Sequence, residues 1–429
     1  MATSGHKPVA IDLFAGAGGF SLGIEQAGFD VAVAVEYDAI HAASYAFNFP
    51  QTQVLCNDIA TLNSTVILAA LENWYARNEI NPALPEIDLV FGGPPCQGFS
   101  YMGKCEIDDG RNRLVFEFSR LVRELQPRYF AMENVPGLGQ KKYKSLLKRL
   151  IREFKAAGYK VTKPVQILNG VHFGLPQQRQ RLFLLGSRIG EKPLKYPKPQ
   201  LSDKSEFRTV RDAIADLPNL DDFTELYTSD SIQLTEEQLQ LMAAKAMPYT
   251  EKLRDIISDS GNFAYPRHWN PQLLTGVMLT KHSQASIDRF KETEPGKLEP
   301  ISRLRRLNWD TPCHTLRAGT GADKGSYTSP RPLHPDYPRV ISVREAARLH
   351  SFPDWFRFHV TKWHGFRQVG NAVPPLLARV IGRQIIAALG IAPSVPYVTL
   401  ELGDPQLLRF RQLFASRYWK LQIESSSSF

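Results

Sequence analysis

Through the first half of the chain, short runs of consecutive apolar residues alternate with stretches in which apolar residues recur every three or four positions. The first pattern predicts buried strands and the second predicts helices with one packed face. Strands are expected at 8–14, 31–36, 53–56, 87–91, 128–133, 161–168 and 181–186, and helices at 19–27, 39–48, 59–78, 113–125 and 141–155. In the last of these helices Tyr143, Leu146, Leu147, Leu150 and Phe154 fall at helical spacing while the basic residues mostly face away. Strand and helix units of this length predict an α/β fold, a mostly parallel sheet with helices on both faces that binds ligands at the carboxyl ends of its strands.

After Ser187 the texture changes to Lys192-Pro193 and Tyr196-Pro197-Lys198-Pro199, then to acidic sequence with few clear periods. Residues 1–190 therefore read as one domain and 191–335 as a second, smaller and irregular one. The range 336–429 returns to the first domain, with helices expected at 342–350 and 374–389. A last helix is expected to start at Asp404-Pro405, a good cap and first-turn pair, and to turn Leu407, Phe410, Phe414 and Tyr418 inward. The closing Ser425 to Ser428 run is expected to be disordered.

The 429-residue length fits two domains, and 43% apolar with 22% charged residues describes a soluble globular chain. No run reads as long enough to span a bilayer and the start lacks a signal-peptide pattern, so a cytoplasmic, nucleoid-associated protein is expected. Cys56, Cys96, Cys105 and Cys313 show no Cys-x-x-Cys spacing, which suggests neither a metal site nor a disulfide framework. The net charge of +9 is unevenly spread. Lys and Arg exceed Asp and Glu by 13 over residues 101–200 and by 10 over 301–429, and fall short by 8 over 1–100 and by 6 over 201–300. If the two basic blocks meet across a cleft they make a groove for a polyanion, most simply nucleic acid; scattered solvated lysines are the other reading.

Candidate chemistry gathers where the strands are expected to end. Asp12-Leu13-Phe14-Ala15-Gly16-Ala17-Gly18-Gly19-Phe20-Ser21 is a glycine-rich turn into a helix, able to bring backbone N–H groups to a ligand. It departs from Gly-x-Gly-x-x-Gly because Ser21 takes the third glycine's place. Glu36 after the second strand could bind a ribose diol, and Asp58 after the third could accept from an adenine amino group. The fourth strand runs into Gly92-Gly93-Pro94-Pro95-Cys96-Gln97-Gly98-Phe99-Ser100, where two prolines stiffen the approach to a lone thiol. Glu133 in Met132-Glu133-Asn134-Val135 is a carboxylate on the adjacent strand, suited to acid catalysis or hydrogen bonding and by itself equally readable as a solvated strand-end residue. In Gln177-Gln178-Arg179-Gln180-Arg181 the two arginines share a face if the segment is extended.

These segments, together with Gly370-Asn371-Ala372-Val373-Pro374, occur in the order seen in DNA cytosine-5 methyltransferases, which the chain resembles over residues 8–188 and roughly 300–390. The resemblance implies a Rossmann-like, S-adenosylmethionine-dependent methyltransferase sheet with helices on both faces, plus a smaller target-recognition domain. It implies that Cys96 is the nucleophile attacking C6 of a flipped cytosine, that Glu133 holds the amine and N3 edge, and that Arg181, with Arg179 nearby, contacts O2 and the site's anions. For S-adenosylmethionine it implies Phe14, Gly16, Ala17, Glu36, Tyr37, Asp58, Ile59, Pro95, Leu114, Asn371 and Ala372. Tyr37 and Ala372 depart from the Trp and Ser frequent in the family.

Double-stranded DNA is the implied partner, with Ser100 and Arg111 as phosphate contacts in a lid spanning 97–112, while Arg303, Arg305 and Arg306 are candidate target-recognition contacts for which a structural role is an equal reading. Arg267-His268-Trp269-Asn270 and His282-Ser283 are further candidates for base contact, with a structural role an equal reading for each. A monomer is expected, in a restriction-modification system with an endonuclease of the same site or acting alone. Three alternatives stay open. A transfer-RNA methyltransferase of the same superfamily usually carries Cys-Phe-Thr, and no cysteine here is followed by Phe. A nicotinamide oxidoreductase gives no reason for Pro-Pro-Cys, and a DNA-binding protein with a degenerate site sits poorly with intact Cys96, Glu133 and Arg181.

Overall fold

The computed structural model describes residues 7–80, 86–95, 113–320 and 330–426, with side chains to 422. An eight-stranded sheet is built from β1 (Val9–Leu13), β2 (Asp30–Glu36), β3 (Gln53–Cys56), β4 (Leu89–Gly92), β5 (Tyr129–Asn134), β6 (Tyr159–Val161), β7 (Gln166–Asn169) and, after the short β8 (Gln177–Gln178), β9 (Gln180–Arg188). Five strands run parallel in the order β3-β2-β1-β4-β5. β9 then pairs antiparallel with β5. The single strand expected at 161–168 is two: β6 and β7 lie on the far edge of β9, at residues 186–188 and 180–183 respectively.

The period-2 alternation of buried strands divides the two faces. Val9, Ile11, Leu13, Val90, Phe130, Met132, Leu182 and Leu184 face α3 (Ser64–Arg77), α4 (Arg113–Leu125) and α5 (Lys144–Ala156). Ala10, Leu89, Phe91, Tyr129, Ala131, Phe183 and Leu185 face α1 (Gly19–Ala27) and, from the chain's other end, α12 (Pro375–Leu389). Glycines let α1 and α12 approach closely: a methyl at Gly23 would strike the Ala378 side chain and the Pro375 carbonyl, and one at Gly382 would meet the Ala27 methyl. α2 (Ala39–Asn48) packs beyond β2.

The stretch from 191 to 340 contains α6 (Val210–Ile214), β10 (Ser231–Gln233), α7 (Glu236–Lys245), α8 (Pro248–Leu253), β11 (Leu273–Thr275), α9 (Gln284–Glu292) and β12 (Cys313–His314). Leu220, Leu226, Ile232, Leu234, Met242, Leu274, Val277 and Leu279 form a small core of their own. α6 and α8, however, share a core with α10 (Val343–Leu349) and α11 (Lys362–Asn371). Arg348 of α10 is buried between Asp216 and Asp354, at 2.5 and 2.7 Å. Residues 263–267 return to α1 as well: the Phe263 amide donates to the Gln26 carbonyl at 2.9 Å, and Arg267 pairs with Glu25. Arg267 is therefore a buried anchor and not a base contact.

Lys362–Leu389 is apolar and long enough to cross a membrane by composition alone, but it is two helices parted at 372–374, with 56% of its apolar window buried. The tail differs from expectation. A tight 3-10 turn, Pro405–Arg409, precedes α13 (Gln412–Ser426). That break shifts the helical phase, so Leu407, Phe410, Ala415 and Trp419 are buried while Phe414 is 60% exposed. Ser425 and Ser426, expected to be disordered, continue the helix, and Ser427 and Ser428 lie outside the described residues.

Candidate active site

At the end of β1 the chain must turn sharply, and Phe14, Gly16 and Gly18 all take left-handed φ angles of 65°, 58° and 99°. For Phe14 this is a strained conformation held by its surroundings, which is common where a loop meets a ligand. Gly18 has no alternative, because a Cβ there would run into the Phe49 ring. Ser21, the departure from the dinucleotide pattern, has a structural use: its hydroxyl donates to buried Asp12 at 2.5 Å and accepts from the Tyr45 hydroxyl at 2.7 Å. Burial raises the Asp12 carboxyl well above the usual carboxylate range, against the Ser21 hydrogen bond.

Glu36, at the end of β2, accepts the Gly16 amide at 2.7 Å and the Asp38 amide at 2.8 Å, so one carboxylate ties the first loop to the second. Burial pushes its pKa up, opposed by His41 and the two amides. Asp38 caps α2 by accepting from the Ile40 and His41 amides at 3.0 and 3.2 Å, leaving Tyr37 74% exposed at the cleft. After β3, exposed Asp58 accepts the Ala60 amide at 2.9 Å, and buried Ile59 follows. Arg120 of α4 holds this turn by donating to the carbonyls of Ile59 and Leu62 at 2.9 and 3.0 Å. Nothing in the local pattern singled out Arg120, whose helical spacing from Glu117 and Glu124 reads as a surface salt-bridge array.

Phe14, Gly16, Ala17, Glu36, Tyr37, Asp58, Ile59, Pro95, Leu114, Asn371 and Ala372 all line one cleft of ≈ 1240 Å³. Glu133 and Arg181 line it too. Arg181 Nε lies 2.7 Å from Glu133 Oε1, both side chains nearly buried at 13% and 12% exposure. Burial raises the Glu133 carboxyl, with Arg181 and then Arg179 pulling it back, and burial lowers the Arg181 guanidinium. A Cβ on Gly93 would come 3.0 Å from Glu133 Oε2, so glycine is what allows the end of β4 to pass beside that carboxylate. Asn134 donates to the Pro94 carbonyl at 3.3 Å, tying the segment before Cys96 to the end of β5. Cys96, Ser100, Arg111 and the remainder of the expected lid, Cys105 included, lie outside the described residues.

Two expected contacts are corrected. Arg179 is fully buried and donates to the carbonyls of Leu316, Gly370 and Ala372 at 3.1, 2.9 and 2.8 Å. It braces the loop carrying Asn371 and Ala372 from behind, both terminal nitrogens being engaged by these carbonyls and only the buried Nε left without a hydrogen-bond partner. Arg306 is also buried, bonded to the carbonyls of Phe290, Thr293, Pro335 and Asp336. An arginine so enclosed by carbonyls is a structural cross-link. Arg305 is half-buried and donates to the Gly296 carbonyl, whereas Arg303 is exposed. His350 and Gln177 complete the brace: His350 Nε2 lies 3.0 Å from the Ala372 carbonyl, and the Gln177 amide bonds Leu349 and Leu316 backbone.

The chain is similar to known proteins over nearly its whole length. The model of the family described as C-5 cytosine-specific DNA methylase matches residues 9–387. The Type II methyltransferase M.XorII of Xanthomonas oryzae pv. oryzae is 46% identical over 402 residues, covering 94% of this chain and 90% of that protein. M.AgeI of Thalassovita gelatinovora is 30% identical, covering 88% and 99%. A prophage-encoded E. coli protein described as a DNA modification methyltransferase has a crystal structure 33% identical in sequence, with a TM-score of 0.69 over 90% of this chain and 100% of that one. The matched family, the strand-end loops and the paired Glu133 and Arg181 converge: the chain belongs to the C-5 cytosine-specific DNA methylases and is a DNA cytosine-5 methyltransferase.

Proposed function

We propose that the enzyme binds a short, palindromic duplex site, turns one cytosine out of the stack and methylates its C5 with S-adenosylmethionine as donor. The observation that carries this reading is the Glu133–Arg181 pair, 2.7 Å apart in a nearly dry corner of the cleft, beside the segment that leads to Cys96. A ring inside the duplex cannot be reached by a side chain, so the base has to leave the stack. Once it enters, Glu133 and Arg181 offer a donor and acceptor set for its N3, exocyclic amine and O2.

The donor residues fit an adenosyl group. Phe14, Ile59, Pro95 and Leu114 give apolar walls, Glu36 a carboxylate for ribose hydroxyls, Tyr37 an exposed ring for stacking and Asp58 an acceptor for the adenine amine. When bound there, S-adenosylmethionine supplies an electrophilic methyl group on a sulfonium. The Cys96 thiolate adds to C6, and negative charge moves onto the N3 and O2 edge. Glu133, whose burial favours its protonated form, and the Arg181 cation are placed to stabilise that charge. C5, made nucleophilic by the addition, would then accept the methyl group as its bond to the donor sulfur breaks, with S-adenosylhomocysteine as the leaving group. A base then removes the C5 proton, the C5–C6 double bond re-forms and the thiolate leaves.

Cytoplasmic action on nucleoid DNA, as a monomer, belongs to the same reading, as does a Type II modification role alongside an endonuclease of the same specificity. The test is trapping on a duplex carrying 5-fluorocytosine, whose C5 fluorine cannot be lost as a proton. Wild type should form a stable covalent complex and Cys96→Ser should form none. Equal trapping by the variant removes Cys96 from the mechanism. Bisulfite sequencing of DNA from cells expressing the gene identifies the site.

A further inference from the structure

Helix α13 follows residue 387, where the family match ends, and takes no part in the chemistry above. Ala415 and Trp419 are buried against α2, and the Trp419 indole donates to the Ala39 carbonyl at 3.0 Å. This bond sets the helix beside the first turn of α2, next to Tyr37 and Asp38. Gln412, Ser416 and Lys420, four residues apart, fall along one strip of the helix. All three, with Trp419, line the cleft that also holds Glu36, Tyr37 and Asp58. The buried Ala415 and Trp419 thus fix the rotation of α13, and that rotation turns an amide, a hydroxyl and an ammonium group toward the cleft.

We infer that α13 is part of the cofactor site, walling its nucleoside end. This rests on the reading that S-adenosylmethionine binds in the cleft. A nucleoside presents ring nitrogens, an amine and hydroxyls, and Gln412 and Ser416 can each donate to and accept from such groups, while Lys420 can donate. Ser416 is the smallest of the three and stands between two long side chains on the lining of the cleft. The C-terminal extension is then a determinant of cofactor affinity and not only a brace for α2.

Two variants of the full chain test this, with S-adenosylhomocysteine as calorimetric probe and a short duplex as control. Ser416→Trp adds bulk on the cleft lining and should weaken S-adenosylhomocysteine binding by about tenfold or more, with duplex affinity and the ligand-free melting temperature unchanged. Gln412→Ala combined with Lys420→Ala adds no bulk, keeps the buried Ala415 and Trp419, and should weaken binding by roughly three- to tenfold. Wild-type affinity in these variants, whether or not they melt earlier without ligand, overturns the inference and leaves α13 a brace. If the wild-type chain itself binds no S-adenosylhomocysteine, the cofactor reading falls and this inference with it, a result distinct from wild-type binding that both variants retain.

Discussion

Arg267 and Glu25 stand 242 residues apart in the chain and meet as a two-pronged ion pair, each guanidinium nitrogen 2.9 Å from its own carboxylate oxygen. Both side chains are buried, at 0% and 2% exposure, and the same glutamate accepts the Tyr265 amide at 3.0 Å. The pair fastens a segment of the middle region to α1, the helix that begins at the glycine-rich loop after β1.

Breaking that pair from one side leaves a buried charge without a partner. Arg267→Ala should lower unfolding free energy by about 3–5 kcal/mol, read from urea denaturation. Replacing both residues, Arg267→Met with Glu25→Leu, should recover most of the loss. A single variant as stable as wild type would contradict the buried pairing.

Glu133 and Arg181 should couple activity and stability to pH. Burial holds the Glu133 carboxyl above the usual glutamate range despite Arg181. Such a group binds its proton more tightly folded than unfolded, so its contribution is full below the ordinary glutamate pKa and declines as pH rises through the raised one. Arg181→Met removes the nearest counter-ion, lifts Glu133 further and should extend this decline to higher pH, measured as urea midpoints from about pH 4 to 9. Glu133→Gln should lower the methylation rate by about 10²-fold or more in single-turnover assays.

Arg179 should behave as a brace and not as an anion contact. Arg179→Met strips a charged donor from three buried carbonyls and should cost about 3 kcal/mol or more of stability. Because two of those carbonyls, Gly370 and Ala372, belong to the cleft wall, S-adenosylhomocysteine affinity should fall with it. Arg179→Lys, which cannot reach three acceptors with a planar fork, should rescue little. A variant that loses only DNA affinity would restore the anion role.

The close approach of α1 and α12 depends on glycine. Gly23→Ala places a methyl against the Ala378 side chain and the Pro375 carbonyl, so the helices must separate. The expected cost is about 2–3 kcal/mol, visible as a lower thermal midpoint with an unchanged pH profile. An unchanged midpoint would show that the helices can separate freely there.

Most of the strands, the helices flanking them and the strand-end loops were legible from the sequence because each depends on local pattern, although the strand expected at 161–168 is two and the helix expected at 59–78 starts only at Ser64. Helices α1, α2 and α4 match the expected 19–27, 39–48 and 113–125, since apolar period and backbone preferences act within a few residues. The loops bearing Phe14, Glu36, Asp58 and Glu133 followed from strand ends alone. Other features depend on distant parts of the chain. Arg179 and Arg181 look equivalent two residues apart, yet one is enclosed by the carbonyls of Leu316, Gly370 and Ala372 while the other faces a carboxylate. Likewise Arg306 and Arg267 read equally as DNA contacts or as structural residues, and burial decides for the structural role.

Sequence by itself therefore determined the element pattern, the order of the motifs and the chemical types present at each strand end, because those are properties of short segments. Tertiary structure alone decided which guanidiniums remain available, which helix face of the tail reaches the cleft, and where the middle region is anchored. The physical reason is that burial and pairing are set by residues such as Glu25 and Arg267, which no local window contains, and a charge's function depends on whether a partner has already been found for it.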